Sequence, residues 1–352
     1  MLGPRPAHLL LLAAAAAACA LTAACALAQP ARVAEVAGYA GADRQQRLVE
    51  GAKREKELTF YSSIPPQDIS VLVAAFDQKY GVKVKVWRAD SEGFLQRILS
   101  EARARRYEVD VMAGSSSALE PLYRESLLSE VKSPYLADII PQAIPPHRQW
   151  VAVYLSLFVQ AYNTNLVAKD SLPASYADLL RPQWKGRLGI EAEDFDWFAQ
   201  VLKEIGEERG LRLFRSIIAA NGIWVRKGHS LLNNLVAAGE VPLALTDYVF
   251  LAEQSKRNGA PLDWFVIPPA IARPTAEGLA RNAPHPNAAV LFYDFLISDA
   301  QPILAGRKFM TVSRSIEPLY KGPFKLIDSA AILDDARKWQ ELFQKTIIGP
   351  SR

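Results

Sequence analysis

From Leu58 to Ser117 the apolar positions switch between two rhythms, and the switching predicts the first elements. Leu58-Thr59-Phe60-Tyr61 is a short strand-forming run that Ser62-Ser63-Ile64-Pro65-Pro66 stops. Ile69, Leu72, Val73 and Phe76 recur at helical spacing, and Val82-Lys83-Val84-Lys85-Val86-Trp87 alternates with the strand period. Phe94, Leu95, Ile98, Leu99 and Ala102 mark a second amphipathic helix, and Val109-Asp110-Val111-Met112-Ala113 a third strand before Gly114-Ser115-Ser116-Ser117. Strands alternating with helices predict an α/β fold with a parallel sheet, whose ligand sites lie beyond the carboxyl ends of the strands. Three polar loops fall at that edge, carrying Ser62 and Ser63, Ser91, and Ser116 and Ser117. Their hydroxyls, with free N–H groups at the following helix starts, suit a small polar or anionic ligand.

Later stretches repeat the pattern. Trp150 to Tyr154 and Leu157 to Tyr162 are apolar runs of strand length. Gly189-Ile190-Glu191 reads as a strand before a helix opened by Glu193-Asp194-Phe195-Asp196-Trp197. Acidic residues suit a helix N-terminus by capping and dipole alone; the functional alternative places Asp194 or Trp197 at a cleft. Ile223-Trp224-Val225 leads to Arg226-Lys227-Gly228-His229-Ser230, a solvated turn or a place where lysine or arginine, Arg226 above all, holds an anion. Leu243-Ala244-Leu245-Thr246 leads to Asp247-Tyr248-Val249-Phe250 and another helix.

Composition narrows the class. Half of the residues are hydrophobic, which supports a large core, and 352 residues suggest two domains. Arg5 and His8 precede an alanine-rich run from Leu9 to Leu27, and Ala26-Leu27-Ala28 fits a small-residue cleavage site, so residues 1–28 are expected to be a signal peptide. A spanning anchor wants about 20 strongly apolar residues, which this run does not supply. Cleavage removes Cys19 and Cys25 and one basic residue, Arg5, taking the formal charge from +4 to +3 and leaving no disulfide framework. A lipid anchor at Cys25 is disfavoured because Thr22 stands where a leucine is expected. The basic cluster Arg103, Arg105 and Arg106 ends at once in Tyr107 and Glu108, so a solvated helix end is favoured and nucleic acid is not an expected partner.

No catalytic pattern in the chain is complete. His8, His147, His229 and His285 form no metal pair at helical spacing. Gly114-Ser115-Ser116-Ser117-Ala118 lacks the closing glycine of a nucleophile elbow, and no P-loop or dinucleotide fingerprint is present. The expectation is a non-enzyme without resident metal or cofactor.

An ordered set of segments resembles the periplasmic solute-binding proteins of ABC importers, type II class, and more narrowly their ferric-iron-binding branch. It comprises Phe60-Tyr61-Ser62-Ser63, Phe76 to Val84, Glu108 to Val111, Ala161 to Val167, Tyr176 to Leu180 with Trp184 to Leu188, Val236 to Ala244, Gly259 to Leu262 and Ala283 to Ala289. The resemblance implies a two-lobed fold, each lobe a mainly parallel sheet flanked by helices, joined by a two-crossing hinge. It places lobe 1 in residues 29–158 and 266–352 and lobe 2 in residues 159–265, with the C-terminal helices packing on lobe 1. It implies a periplasmic, monomeric protein that closes on a solute and hands it to an inner-membrane permease. It also implies that Asp247 and Tyr248 contact the ligand. The chain departs from the iron pattern in having one tyrosine there, with Ser62-Ser63 and Gly114-Ser115 where a histidine and a carboxylate are expected. An organic or phosphorylated anion is therefore expected ahead of bare ferric iron, with iron bound through a co-bound anion as the alternative on ligand identity. A sensory receptor subunit or an exported enzyme using the same cleft are the alternatives of another class.

Overall fold

The computed structural model describes residues 32–349; the expected signal peptide lies outside them. After a helical stretch at residues 32–38 the chain forms α1 (Arg44–Glu55), then alternates β1 (Glu57–Ser62), α2 (Pro66–Tyr80), β2 (Lys83–Arg88), α3 (Ser91–Arg103), β3 (Val111–Ser115) and α4 (Ser116–Arg124). Each predicted rhythm of this stretch is an element. Local chemistry sets the ends: Pro66 starts α2, Gly81 in the left-handed region (φ 68°) stops it, and the Asp90 side chain accepts a 2.7 Å bond from the Gly93 N–H to cap α3.

Next comes β4 (Val151–Asn163), thirteen residues and buried throughout. It is followed by β5 (Leu188–Glu191), α5 (Phe195–Ile205), α6 (Glu207–Asn221), β6 (Trp224–Arg226), α7 (His229–Ala238), β7 (Leu243–Tyr248), α8 (Val249–Arg257), β8 (Leu262–Phe265) and β9 (Ile271–Ala280). Helices α9 (Pro286–Leu296), α10 (Ala300–Gly306), α11 (Ser329–Asp334) and α12 (Ala336–Phe343) complete the set used below.

Across the molecule the strands run β2-β1-β3-β9-β4-β7-β5-β6. The outer pairs are parallel in both halves: β1 with β2 and β3, β5 with β6 and β7. Around the centre the pairing is antiparallel, β9 with β3 and β4, and β4 with β7 and β8. The sheets are therefore mixed. Strand β4 belongs to both: Leu157 pairs with Ala272 of β9, and Phe158, the next residue, pairs with Tyr248 of β7. The chain returns between β8 and β9. Two backbone passages lie side by side, the geometry of a hinge.

Helix α9 packs on the first half as expected: Phe292 meets Phe60 and Phe76 edge to face, and Asp294 pairs with Arg44. The last helices differ from expectation. Phe343 of α12 packs on Phe198 of α5 at 5.6 Å between ring centroids, and Lys338 pairs with Glu207 of α6 at 2.6 Å, both in the second half. Helix α11 stays on the first half through Arg124–Asp334 at 2.7 Å. The tail bridges the halves because Trp339, Phe343 and Ile347 find their apolar cover on the second. Among the described residues no single helix is long and apolar enough to cross a membrane. The bent pair α9–α10 comes nearest, and α9 is buried in the core.

Candidate functional site

A cavity of about 720 Å³ opens between the two halves, where the carboxyl ends of β1, β3, β5 and β7 meet. Elements from both halves line it. Ser63 follows β1, Ser91 begins α3 and Ser117 lies in the first turn of α4. From the other side come Glu191 at the end of β5, Asp196 in α5, Lys227 and His229 before and at the start of α7, and Tyr248 at the end of β7.

Arg273 of β9, next to the hinge, is the central group. Its Nε donates to Asp196 Oδ2 at 2.8 Å, Nη1 to the Tyr248 hydroxyl at 2.5 Å, and Nη2 to Asp194 Oδ1 at 2.9 Å and to Asp196 Oδ1. The guanidinium also lies 4.8 Å from the centroid of the Phe158 ring. One cation inside the protein thus meets two carboxylates, and this multiple bonding compensates for its desolvation. Burial opposes the charge on Arg273, but Asp196, Tyr248 and Asp194 together hold its pKa well above the ordinary value.

Around it the charges interlock. His229 Nε2 lies 3.2 Å from Asp194 Oδ1 and Nδ1 lies 3.3 Å from the Thr246 carbonyl. Burial favours the neutral ring, yet the Asp194 carboxylate outweighs it and raises the His229 pKa, so the ring donates from both nitrogens when charged. Asp194 responds in the opposite sense: burial pushes its pKa up, and His229 with Arg273 brings it below the usual carboxylate range. The Tyr248 ring lies 3.8 Å from His229 between centroids, and burial pushes its phenol well above the ordinary value despite Arg273. Glu191 accepts from the backbone N–H groups of Gly228 at 2.8 Å and Glu193 at 2.6 Å, and burial, with Asp194 nearby, raises its pKa. Ser117 Oγ donates to Asp196 Oδ2 at 2.8 Å across the cleft. At the rim Lys227 bridges Glu193 at 2.7 Å and Asp90 of the other half at 3.4 Å.

Of the ten residues singled out from sequence, Ser63, Ser91, Ser117 and Tyr248 line the cavity. Asp194 stands behind them, fully buried, and pairs with Arg273 and His229. The other five point elsewhere. Ser62 is buried and donates to the Ala113 carbonyl at 3.0 Å, because alternate strand residues face opposite ways. Ser116 is buried against Ser329 at 2.6 Å. Trp197 packs with Tyr176, Phe214 and Phe158 inside the second half. Arg226 lies over the Trp224 ring and donates to the Val225 carbonyl. Asp247 is buried, accepting from Asn233 at 2.7 Å and from the Tyr248 N–H at 2.8 Å.

Arg273, Asp196, Glu191 and His229 line the cavity without having been among the residues expected from sequence. A signal for Arg273 was present: it interrupts an otherwise apolar or small run, Ile271-Ala272, ahead of Pro274. Glu191, Asp194 and His229 bring three ligating atoms within 4.8 Å of one another. Two carboxylates and an imidazole are a chemically plausible donor set for a metal ion, although Asp194 already pairs with a cation.

Comparison with known proteins gives a consistent picture. A profile of the family described as bacterial extracellular solute-binding protein matches residues 60–307. The "Fe(3+)-binding periplasmic protein" of Serratia marcescens is 24% identical over 194 residues, 54% of this chain and 57% of that relative's length. Iron-bound HitA from Pseudomonas aeruginosa superposes with a TM-score of 0.70 at 21% identity, covering 81% of this chain and 98% of that one. AfuA from Actinobacillus pleuropneumoniae, solved with exogenous fructose-6-phosphate bound, gives 0.71 at 20% identity, covering 83% and 98%.

Proposed function

Because the chain belongs to the bacterial extracellular solute-binding protein family, we propose that it captures a small polar solute in the periplasm, between its two lobes, and delivers it to an inner-membrane ABC permease. The observation that carries this reading is the shared lining of the cavity. Ser63, Ser91 and Ser117 come from one half and Lys227, His229 and Tyr248 from the other, on either side of a two-passage hinge. A solute that touches both walls is bound better when they are close, and so shifts the protein towards closure. On this reading residues 29–158 and 266–352 form one lobe and residues 159–265 the other, with the tail spanning both.

Among polar solutes the charge balance favours weakly charged ones. Asp90, Glu92, Glu191, Glu193 and Asp196 face the cavity against Arg88, Lys227 and Arg273, with His229 as a further partial cation. Arg273 already has its counter-ions, so a polyanion gains little from it. The second reading is ferric iron as cargo, favoured by the Glu191–Asp194–His229 cluster. Against it, the one tyrosine at the β7 end gives its hydroxyl to Arg273, and burial holds that phenol protonated, whereas hard ferric ion wants anionic oxygen.

Native mass spectrometry with metal analysis, on protein purified from periplasm, separates the two. A co-purifying organic mass that is lost in Ser117→Ala or Tyr248→Phe, without stoichiometric iron, is the expected result. Stoichiometric iron that disappears in His229→Ala overturns it in favour of the metal.

A further inference from the structure

We propose that the solute is amphipathic: a hydrogen-bonding head with at most one negative charge, and an apolar body the size of a phenyl ring or short alkyl chain. This rests on reading the cleft as the solute site, and it adds the chemistry of what enters. The lining does not end at the hydroxyls. Along α4, Ser117 is followed on the cavity wall by Ala118 and Pro121, the last about 6 Å further along the helix axis. Facing them are Ile332 and Leu333 of α11, Phe343 of α12 and Phe195 of α5. None of these side chains offers a polar atom; Ser329, Gln340 and Gln344 of the same tail segments also reach the lining, so this end is mainly rather than wholly apolar. The apolar end is continuous with the polar one, and Ser116–Ser329 at 2.6 Å and Arg124–Asp334 at 2.7 Å pin α11 against α4 beside it.

Size and charge agree. The cavity of about 720 Å³ falls within the roughly 300–1,000 Å³ of pockets that take organic ligands, whereas a lone cation or phosphate leaves most of it unfilled. At the polar end Arg88 is the cavity cation without an ion pair among the described residues; it makes only long contacts, 3.4 Å, to the Ile64 and Ser63 carbonyls. One free guanidinium beside Ser63 and Ser91 matches one negative charge.

Calorimetric titration of the full mature chain, freed of co-purifying solute by unfolding and refolding, tests this with acetate and 4-phenylbutyrate as probes. The phenyl probe should bind at least about tenfold more tightly, the scale expected for burying a ring. Ala336→Trp, which fills the apolar end from α12, should cost the phenyl probe about tenfold and leave acetate unchanged; Arg88→Gln should weaken both. Equal affinity for the two probes, or wild-type affinity of Ala336→Trp for 4-phenylbutyrate, overturns the inference alone if acetate still responds to Ser117→Ala. Absence of any response of either probe to Arg88→Gln and Ser117→Ala overturns the cleft reading with it.

Discussion

Asp247 and Tyr248 are neighbours in sequence with opposite roles, and the parity of a strand separates them. Tyr248 reaches the cavity and Arg273; Asp247 turns inward, where Asn233 and the Tyr248 N–H are its partners. Burial pushes the Asp247 pKa from 3.8 up to about 6, the amide and backbone bonds offsetting part of the cost. A carboxyl whose folded pKa lies above its unfolded one binds more protons folded than unfolded. Its contribution is therefore complete below pH 3.8 and lost as pH rises to about 6. Asp247→Asn keeps one acceptor oxygen, for either the Asn233 amide or the Tyr248 N–H, and cannot ionise, so it loses one of the two bonds at every pH. Denaturant unfolding should show the variant gaining on the wild type between these limits, by on the order of 2–3 kcal/mol, and a constant difference above. Parallel pH profiles for the two proteins would show that Asp247 titrates normally. The same parity explains why Ser62 serves the framework while Ser63 serves the cleft; Ser116 and Ser117 part company because successive residues of a helix point about 100° apart.

Elements were legible where one rhythm of apolar residues reports one neighbour. The strand–helix alternation of residues 58–117 reads directly from its spacing, and so do the loops at one sheet edge. What did not read from spacing was set by residues far apart in the chain. Arg273 meets Asp194 and Asp196 across 79 and 77 positions, and β4 changes sheets between Leu157 and Phe158 with no break in its apolar run. Helix α12 sits on the second half and not the first for the same reason: its apolar face is plain in sequence, but its partner Phe198 is named only by the fold. Gly114 shows how tightly one such junction is built. A Cβ there would lie 2.1 Å from Phe94 Cε1 and 3.1 Å from Ser63 Oγ, so β3 can approach α3 only without a side chain. Gly114→Ala should cost about 1–3 kcal/mol in denaturant unfolding and displace the Ser63–Ser91 pair, weakening solute binding as well. Wild-type stability in this variant would mean that Phe94 has room to turn away.

At the scale of the molecule the question is what holds two lobes together before a solute arrives. The rim bridge from Lys227 to Asp90 is exposed, and such pairs contribute about 0–1 kcal/mol and weaken with salt. The hinge pair is of another order. Arg273 sits on the strand that pairs with β4 at the sheet change, and Asp194 and Asp196 reach it from the second half. Removing the guanidinium leaves two buried carboxylates beside each other with no arginine to offset them, a loss of about 3–5 kcal/mol for a broken buried pair. Opening the cleft relieves them by admitting water, so the cost should appear as a change of shape as well as of stability. Arg273→Met keeps an unbranched aliphatic stem but deletes the charge, together with the guanidinium that lies over Phe158. Small-angle scattering should then give a larger radius of gyration for the unliganded variant than for the wild type, alongside a fall of about 3–5 kcal/mol in unfolding free energy. Asp196→Asn in the same background should recover part of both, since it removes one of the stranded charges and leaves an acceptor for Ser117. A variant as compact and stable as the wild type would mean that closure rests on the apolar contacts of the bridging tail, Phe343 on Phe198, and that the arginine is a solute contact and nothing more.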